Sequence, residues 1–271
     1  MNDTTKNACT DCPAHHIGNL KKLGVSMENF DYVVALAGNP NTGKSTVFNA
    51  LTGLRQHTGN WPGKTVTRAE GGFSYNDKQF KLVDLPGTYS LLSTSTDEEV
   101  ARDFILFGRP DVTVVVVDAT RLERNLNLVL QILEITDRAI VCLNLIDEAK
   151  RNRLEIDDRS LAKELGIPVI PAAARQGQGI PNLLKYIFEV ATGSFVCKPY
   201  RVRQIPRKID QAVADLTGQI QRNFPSLPNA RWVALRLLEG DQKIIDALRS
   251  GELGTLETTA NSVDSNFAEA L

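Results

Sequence analysis

Eight consecutive residues constrain this chain more than any others. Gly38-Asn39-Pro40-Asn41-Thr42-Gly43-Lys44-Ser45 matches G-x-x-x-x-G-K-[ST] in full, and Thr46 follows it. The run before it, Tyr32-Val33-Val34-Ala35-Leu36-Ala37, is continuously apolar apart from its first ring, the pattern of a buried strand. Residues 44–52 after it read as a helix. A glycine-rich turn between a strand and a helix lets successive backbone N–H groups face one anion, and the helix N-terminus adds partial positive charge. That context separates a phosphate-binding loop from a turn that matches by chance. In such a loop Lys44 reaches the β- and γ-phosphates of a nucleotide, and the Ser45 hydroxyl ligates magnesium.

The rest of the chain agrees with one fold class. Short β-branched runs at 81–83, 112–117, 139–143 and 169–170 alternate with helical stretches at 98–107, 122–136, 159–165 and 180–190. Continuous apolar strands separated by helices predict an α/β fold, a mainly parallel sheet covered by helices on both faces. Residues 67–75 and 78–83 flank Asn76-Asp77, which predicts a hairpin and an antiparallel strand at one edge. After Thr192-Gly193 the alternation stops. Ile209, Val213, Leu216 and Ile220 share one helix face. Trp232, Leu235 and Leu238 predict a second helix ended by Gly240, and Ile244, Ile245 and Leu248 a third. The expected organisation is an N-terminal extension at 1–30, a P-loop nucleotide-binding domain at 31–193 and a small all-α domain at 200–271. The tail from Gly254 onward is rich in Thr, Ser, Asn and Ala.

Composition removes several function classes. A net charge of −1 supplies no basic surplus, so a nucleic-acid partner is not expected. The longest strongly apolar run, 112–117, is far shorter than the roughly 20 residues a membrane span needs. The start, MNDTTKNACTDC, lacks the basic start and the apolar stretch of a secretory signal. Four cysteines in 271 residues make no disulfide scaffold, which points to a reducing cytoplasm. Nothing in the composition excludes a homo-oligomer.

Three further motifs follow in order. Asp84-Leu85-Pro86-Gly87 closes a strand about 40 residues after the phosphate loop. An aspartate there can hold magnesium through water, and the Gly87 N–H can face the γ-phosphate. Asn144-Leu145-Ile146-Asp147 ends another strand. The Asp147 carboxylate can accept both N1–H and N2–H of guanine, whereas adenine would leave it unpaired at that edge. Pro171-Ala172-Ala173-Ala174-Arg175 follows the last strand, and Ala173 and Ala174 align with the segment whose backbone N–H reads the guanine oxygen. Between the phosphate loop and Asp84, a threonine should sense the γ-phosphate; Thr58, Thr65 and Thr67 are candidates. Gly59-Asn60-Trp61-Pro62-Gly63-Lys64-Thr65 reads as a mobile loop with an exposed tryptophan.

Taken together, the phosphate loop, Gly59-Asn60-Trp61-Pro62-Gly63, Asp84-Leu85-Pro86-Gly87-Thr88-Tyr89-Ser90-Leu91 and Glu98-Glu99-Val100-Ala101-Arg102-Asp103 resemble the cytosolic N-terminal domain of the FeoB ferrous-iron transporters. The likeness continues through Ala230-Arg231-Trp232 and Leu237-Leu238-Glu239-Gly240-Asp241. The resemblance implies a GTPase that regulates ferrous-iron uptake from the inner face of a bacterial membrane. It also implies a helical domain that favours bound GDP and leads to a membrane-embedded permease domain in cis. It assigns the γ-phosphate threonine to Thr65, and a potassium site to Asn41 with the backbone of Gly59 and Trp61. The magnesium set is then Ser45, Thr65 and Asp84, and catalysis falls to Asn41, Lys44, Thr65 and Gly87. Thr88 stands where many small GTPases have a water-orienting glutamine. The rivals are a ribosome-assembly GTPase, disfavoured because 200–271 has no marked basic excess, and a nucleotide switch with negligible hydrolysis.

Cys9, Cys12, His15 and His16 have the spacing and chemistry of a transition-metal site within the extension. Cys142 reads as core, Cys197 as linker, His57 as a solvated loop residue and Trp232 as core or interface.

Overall fold

A computed structural model describes residues 20–53, 56–92, 95–201, 206–225, 227 and 229–249. The described residues divide into two compact units, 20–201 and 206–249. The first contains β1 (Tyr32–Gly38), α1 (Lys44–Thr52), β2 (Gln56–Asn60), β3 (Thr67–Tyr75), β4 (Lys78–Asp84), α2 (Thr96–Phe107) and β5 (Val112–Asp118). It continues with α3 (Leu122–Ile135), β6 (Ala139–Asn144), α4 (Ile146–Arg151), α5 (Asp158–Leu165), β7 (Val169–Pro171) and α6 (Ile180–Ala191).

The seven strands form one sheet in the order β2-β3-β4-β1-β5-β6-β7. β1 pairs in parallel with β4 and β5, and β6 and β7 continue the parallel part. β3 runs antiparallel to both of its neighbours, β2 and β4, with Asn76 and Asp77 at positive φ in the two-residue turn between β3 and β4. β1, β5 and β6 are almost wholly buried because helices cover both faces. On one face Val34, Leu36, Leu82, Val114 and Ile140 pack under Phe48 and Leu51 of α1 and Leu183 and Ile187 of α6. Phe104 of α2 and Leu128, Val129 and Ile132 of α3 are buried as well.

The second unit is helical: α7 (Arg207–Asn223), α8 (Ala230–Leu238) and α9 (Gln242–Arg249). Val213 and Ile220 are the buried positions of α7. Trp232, Val233 and Leu237 of α8 and Ile244 and Leu248 of α9 are buried too, which places Trp232 in the core.

Three segments depart from expectation. Gly59 and Asn60 do not begin a mobile loop; they end edge strand β2, opposite Arg68 and Thr67. The end of the N-terminal extension is not a plain polar tail, since Leu20 and Val25 are fully buried. A helical turn there closes with Val25 N–H to Leu20 O (2.8 Å) and Gly24 at φ 81. Residues 194–201 stay with the first unit: Lys198 N–H reaches Gly166 O (2.9 Å) and Tyr200 N–H reaches Leu165 O (3.1 Å). Cys197 is therefore half-buried, its Sγ 3.6 Å from Ala139 O.

Candidate nucleotide-binding site

The motif residues converge because parallel strands all end at one edge of the sheet. Gly38 ends β1, Asp84 ends β4 and Asn144 ends β6. In open α/β sheets the crevice beyond the carboxyl ends of the strands is where ligands bind.

The phosphate loop is held by its own short bonds. The Thr42 hydroxyl donates to Asn39 O (2.9 Å), and the Thr46 and Val47 N–H groups both reach Gly43 O (3.0 Å). Gly43 is left-handed at φ 80, and a Cβ there would run into the Asn144 amide nitrogen. Only glycine fits both conditions. Asn41 is also left-handed, at φ 66, and exposed, a conformation asparagine tolerates better than most residues. Ser45 and Thr46 are exposed at the first turn of α1.

Lys44 extends across to β4. Its ammonium pairs with the Asp84 carboxylate and donates to Leu85 O (2.6 Å). Burial pushes the Asp84 carboxyl above the usual carboxylate range, against the pull of the Lys44 charge. Gly87 lies under the phosphate loop, the position of a Cβ on it being 3.4 Å from Pro40 Cα. The Thr88 N–H reaches Gly38 O at 3.3 Å, and Thr88 is buried.

At the other end of the site Asn144 works as a bridge. Its Nδ2 donates to Thr42 O (3.0 Å), and its Oδ1 accepts the Ala174 N–H (3.1 Å). One buried side chain thus ties the phosphate loop to the segment with Ala173 and Ala174, both buried. The neighbouring Asp147 opens α4 and is half-buried. Gln176 Nε2 donates to its Oδ2 at 3.1 Å, and Arg151 stands 3.8 Å away. Leu145, between the two motif residues, is left-handed at φ 61, which sets the turn out of β6.

Thr65 is exposed in the connection between β2 and β3. Thr58 and Thr67 lie on those strands, also exposed. The connection is closed by Lys64 N–H to Trp61 O and Trp61 N–H to Val66 O, both 3.0 Å. The expected exposed tryptophan is a correction. Trp61 is 4% exposed, edge-on to Phe104 with centroids 5.4 Å apart, under the Arg68 guanidinium at 5.4 Å. Burying this large ring outweighs the freedom of a glycine-rich loop.

Sequence reading missed Gln176 as a partner of Asp147, since a lone glutamine in a loop carries no pattern. It also missed that Asn39 Nδ2 is buried without a hydrogen-bond partner. Cys9, Cys12, His15 and His16 lie outside the described residues. Among the described residues no group of three or more His, Cys, Asp or Glu could hold a metal, and no helix is long and apolar enough to cross a membrane.

Comparison with known proteins then becomes informative. A family model described as "Ferrous iron transport protein B" matches residues 32–187, and one described as "FeoB cytosolic helical domain" matches 206–271. The Fe(2+) transporter FeoB of Salmonella typhimurium is 44% identical over 212 residues, 77% of this chain. That of Escherichia coli (strain K12) is 43% identical over the same length. The matched stretch spans 27% of each of these relatives. The crystal structure of the G domain of the T. maritima FeoB iron transporter is 46% identical, with TM-score 0.56, over 59% of this chain and 98% of that one. The T. maritima cytosolic domain in GDP form II is 37% identical, with TM-score 0.73, over 85% of this chain and 88% of that one. The first family model alone accounts for more than half of the 271 residues: the chain belongs to the ferrous iron transport protein B (FeoB) family.

Proposed function

We infer that this chain binds GTP and hydrolyses it to GDP and phosphate. In the same reading it serves as the cytoplasmic regulatory domain of a ferrous-iron permease joined to it in cis. The observation that carries this is the Asn144 bridge, one buried amide that locks the phosphate loop to the base-reading segment beside Asp147.

The roles follow from chemistry. Backbone N–H groups from Gly38 to Thr46 cradle the phosphates. Lys44 exchanges Asp84 and Leu85 O for phosphate oxygens, which frees the Asp84 carboxylate. The Ser45 and Thr65 hydroxyls and the Asp84 carboxylate are hard oxygen donors of the kind magnesium takes. Bound there, the ion would neutralise charge on the β- and γ-phosphate oxygens. Gly87 offers its N–H to the γ-phosphate. The Asn41 amide oxygen and the Gly59 and Trp61 carbonyls suit a potassium ion, which would supply the transition-state charge that Thr88, buried and without a long polar side chain, does not. Asp147, oriented by Gln176, accepts from the guanine edge. Cys9, Cys12, His15 and His16 are proposed as a separate transition-metal site.

The test is calorimetric. The native protein should bind GTP and GDP far more tightly than ATP. Asp147→Asn should weaken GTP by about a hundredfold or more and gain affinity for XTP, since leaving a buried polar edge unpaired is costly. Equal affinity for ATP and GTP would remove the guanine assignment. Thr88 also favours a slow intrinsic rate; single-turnover measurement separates slow hydrolysis from a switch with none.

A further inference from the structure

The family match begins at residue 32, yet the residues just before it are built into the fold. Leu20 and Val25 are fully buried. Asp31 N–H reaches Gln79 O (2.8 Å), and Gln79 N–H returns to the Asp31 carboxylate (2.8 Å). Residues 20–31 thus run as a lead-in anchored on β4. Its turn at Leu23-Gly24 meets the Thr65 connection through Pro62 and through Arg68. Arg68 of β3 donates to Leu23 O (3.1 Å), covers the Trp61 ring and pairs with Glu70 (2.7 Å). Glu70 in turn pairs with Lys81, whose ammonium sits over the Phe30 ring of the lead-in at 5.4 Å. Gly24 is packed so closely that a Cβ on it would lie 2.8 Å from Pro62 Cγ and run into the Arg68 guanidinium. A cavity of about 80 Å³ lies among Lys22 and Leu23 of the lead-in, Trp61 and Pro62 of the connection, and Val100 and Asp103 of α2. Trp61 Nε1 is buried without a partner.

This arrangement holds the connection to one side. β2 is three strands from β1, which carries the phosphate loop. At about 4.8 Å per strand spacing, the roots of the connection on β2 and β3 stand roughly 14 and 10 Å away. In the same structure Lys44 is ion-paired with Asp84, the arrangement that phosphate must displace. The Arg68 contacts hold the connection while Thr65, on that connection, stays exposed.

We propose that Arg68 and the Leu20–Val25 turn form a clasp that seats Trp61 and Pro62, and that this clasp must open before Thr65 reaches the magnesium beside the γ-phosphate. Arg68 is then a positioning residue, acting on the reaction through Trp61. The proposal rests on the reading of Thr65 as the γ-phosphate sensor. A contact present only in the resting state lowers the apparent affinity for the ligand that selects the other state, and leaves untouched a ligand indifferent to the two. GTP, which has the γ-phosphate, feels the clasp; GDP does not.

The experiment uses the whole chain with Trp232→Phe, which leaves Trp61 as the only indole. Magnesium with GMPPNP should shift Trp61 emission to the red as the ring unseats, and GDP should not. Arg68→Met removes the fork, and Gly24→Ala wedges the turn off Pro62. Each should tighten GMPPNP five- to tenfold by calorimetry and change GDP less than twofold. Arg68→Lys, which keeps the charge without the fork, should fall between. Unchanged Trp61 emission with GMPPNP overturns the clasp. So does an equal change for both nucleotides, or weaker GMPPNP in the variants. Should Arg68→Met fail to fold, Gly24→Ala, Arg68→Lys and the Trp61 emission still decide. Failure of the unsubstituted protein to bind either nucleotide is a different result, and it overturns the GTP reading itself.

Discussion

Two side-chain amides shape the end of the candidate site around Asp147. Asn144 is fully buried and satisfied on both its nitrogen and its oxygen, so it can be rigid without cost. Gln176 is exposed and makes one bond, to Asp147. Its contribution is orientation of a carboxylate rather than stability. Cys142 shows the opposite case, a reactive group made inert by its surroundings. It lies on central strand β6 with no exposure, and burial pushes its thiol up to about 12. Almost no thiolate forms at pH 8, and no reagent reaches it. Native protein treated with iodoacetamide should therefore carry no label on Cys142, while denatured protein should label it fully, as read by peptide mass spectrometry. Native labelling of Cys142 as fast as of half-buried Cys197 would contradict this.

At the scale of the element, the helix that approaches the β7 edge depends on one cap. Asp157 accepts the Ser160 N–H (2.9 Å) and the Ser160 hydroxyl (2.7 Å) at the start of α5. These bonds favour the ionised form and lower its pKa below the ordinary 3.8. Because the folded pKa is depressed, this stabilisation is complete above about pH 4 and is lost as pH falls through the lower folded value. Amide exchange in α5, corrected for intrinsic rate, should speed up between pH 4 and 3 relative to α3. Asp157→Ala should show the faster exchange already at pH 7 and lose that pH dependence. Unaltered α5 protection in the variant would mean that the cap is irrelevant. The other end of α5 is set by Gly166, left-handed at φ 70, where a Cβ would lie 2.7 Å from the Lys198 carbonyl carbon. That glycine lets residues 198–200 pair with the helix end.

At the scale of the whole molecule, the phosphate loop meets Asn144 from 102 residues further along the chain, and the proposed potassium site joins that loop to the connection between β2 and β3. Asn41 comes from the phosphate loop; Gly59 lies on β2, and Trp61 opens the connection to β3. The Trp61 carbonyl accepts the Lys64 N–H, which leaves its second lone pair for an ion. Charge stabilisation of this kind is typically worth about 3 to 4 kcal/mol, or roughly a hundred- to a thousandfold in rate. Potassium should accelerate GTP hydrolysis over sodium by that order at matched ionic strength. Asn41→Ala should erase the difference while GTP remains bound. Equal turnover in the two salts would leave the charge to another group.

The sequence alone determined the fold class and the order of the motifs along the chain, because these rest on local pattern. A glycine-rich turn after an apolar strand, a period of 3.6 or a continuous β-branched run is written in neighbouring residues. Even the Asn144-Leu145-Ile146-Asp147 motif was legible, since it follows directly on a recognisable strand. Tertiary structure decided what depends on residues far apart in the chain. It buried Trp61 against Phe104 and Arg68, drew Gln56–Asn60 into the sheet as an edge strand and seated Leu20 and Val25 in the first unit. It also set Gln176 on Asp147 and Lys44 on Asp84. The Trp61 loop looked mobile because its glycines and proline speak only for the backbone; the free energy of covering an indole comes from helix and strand surfaces that the loop's own sequence does not contain.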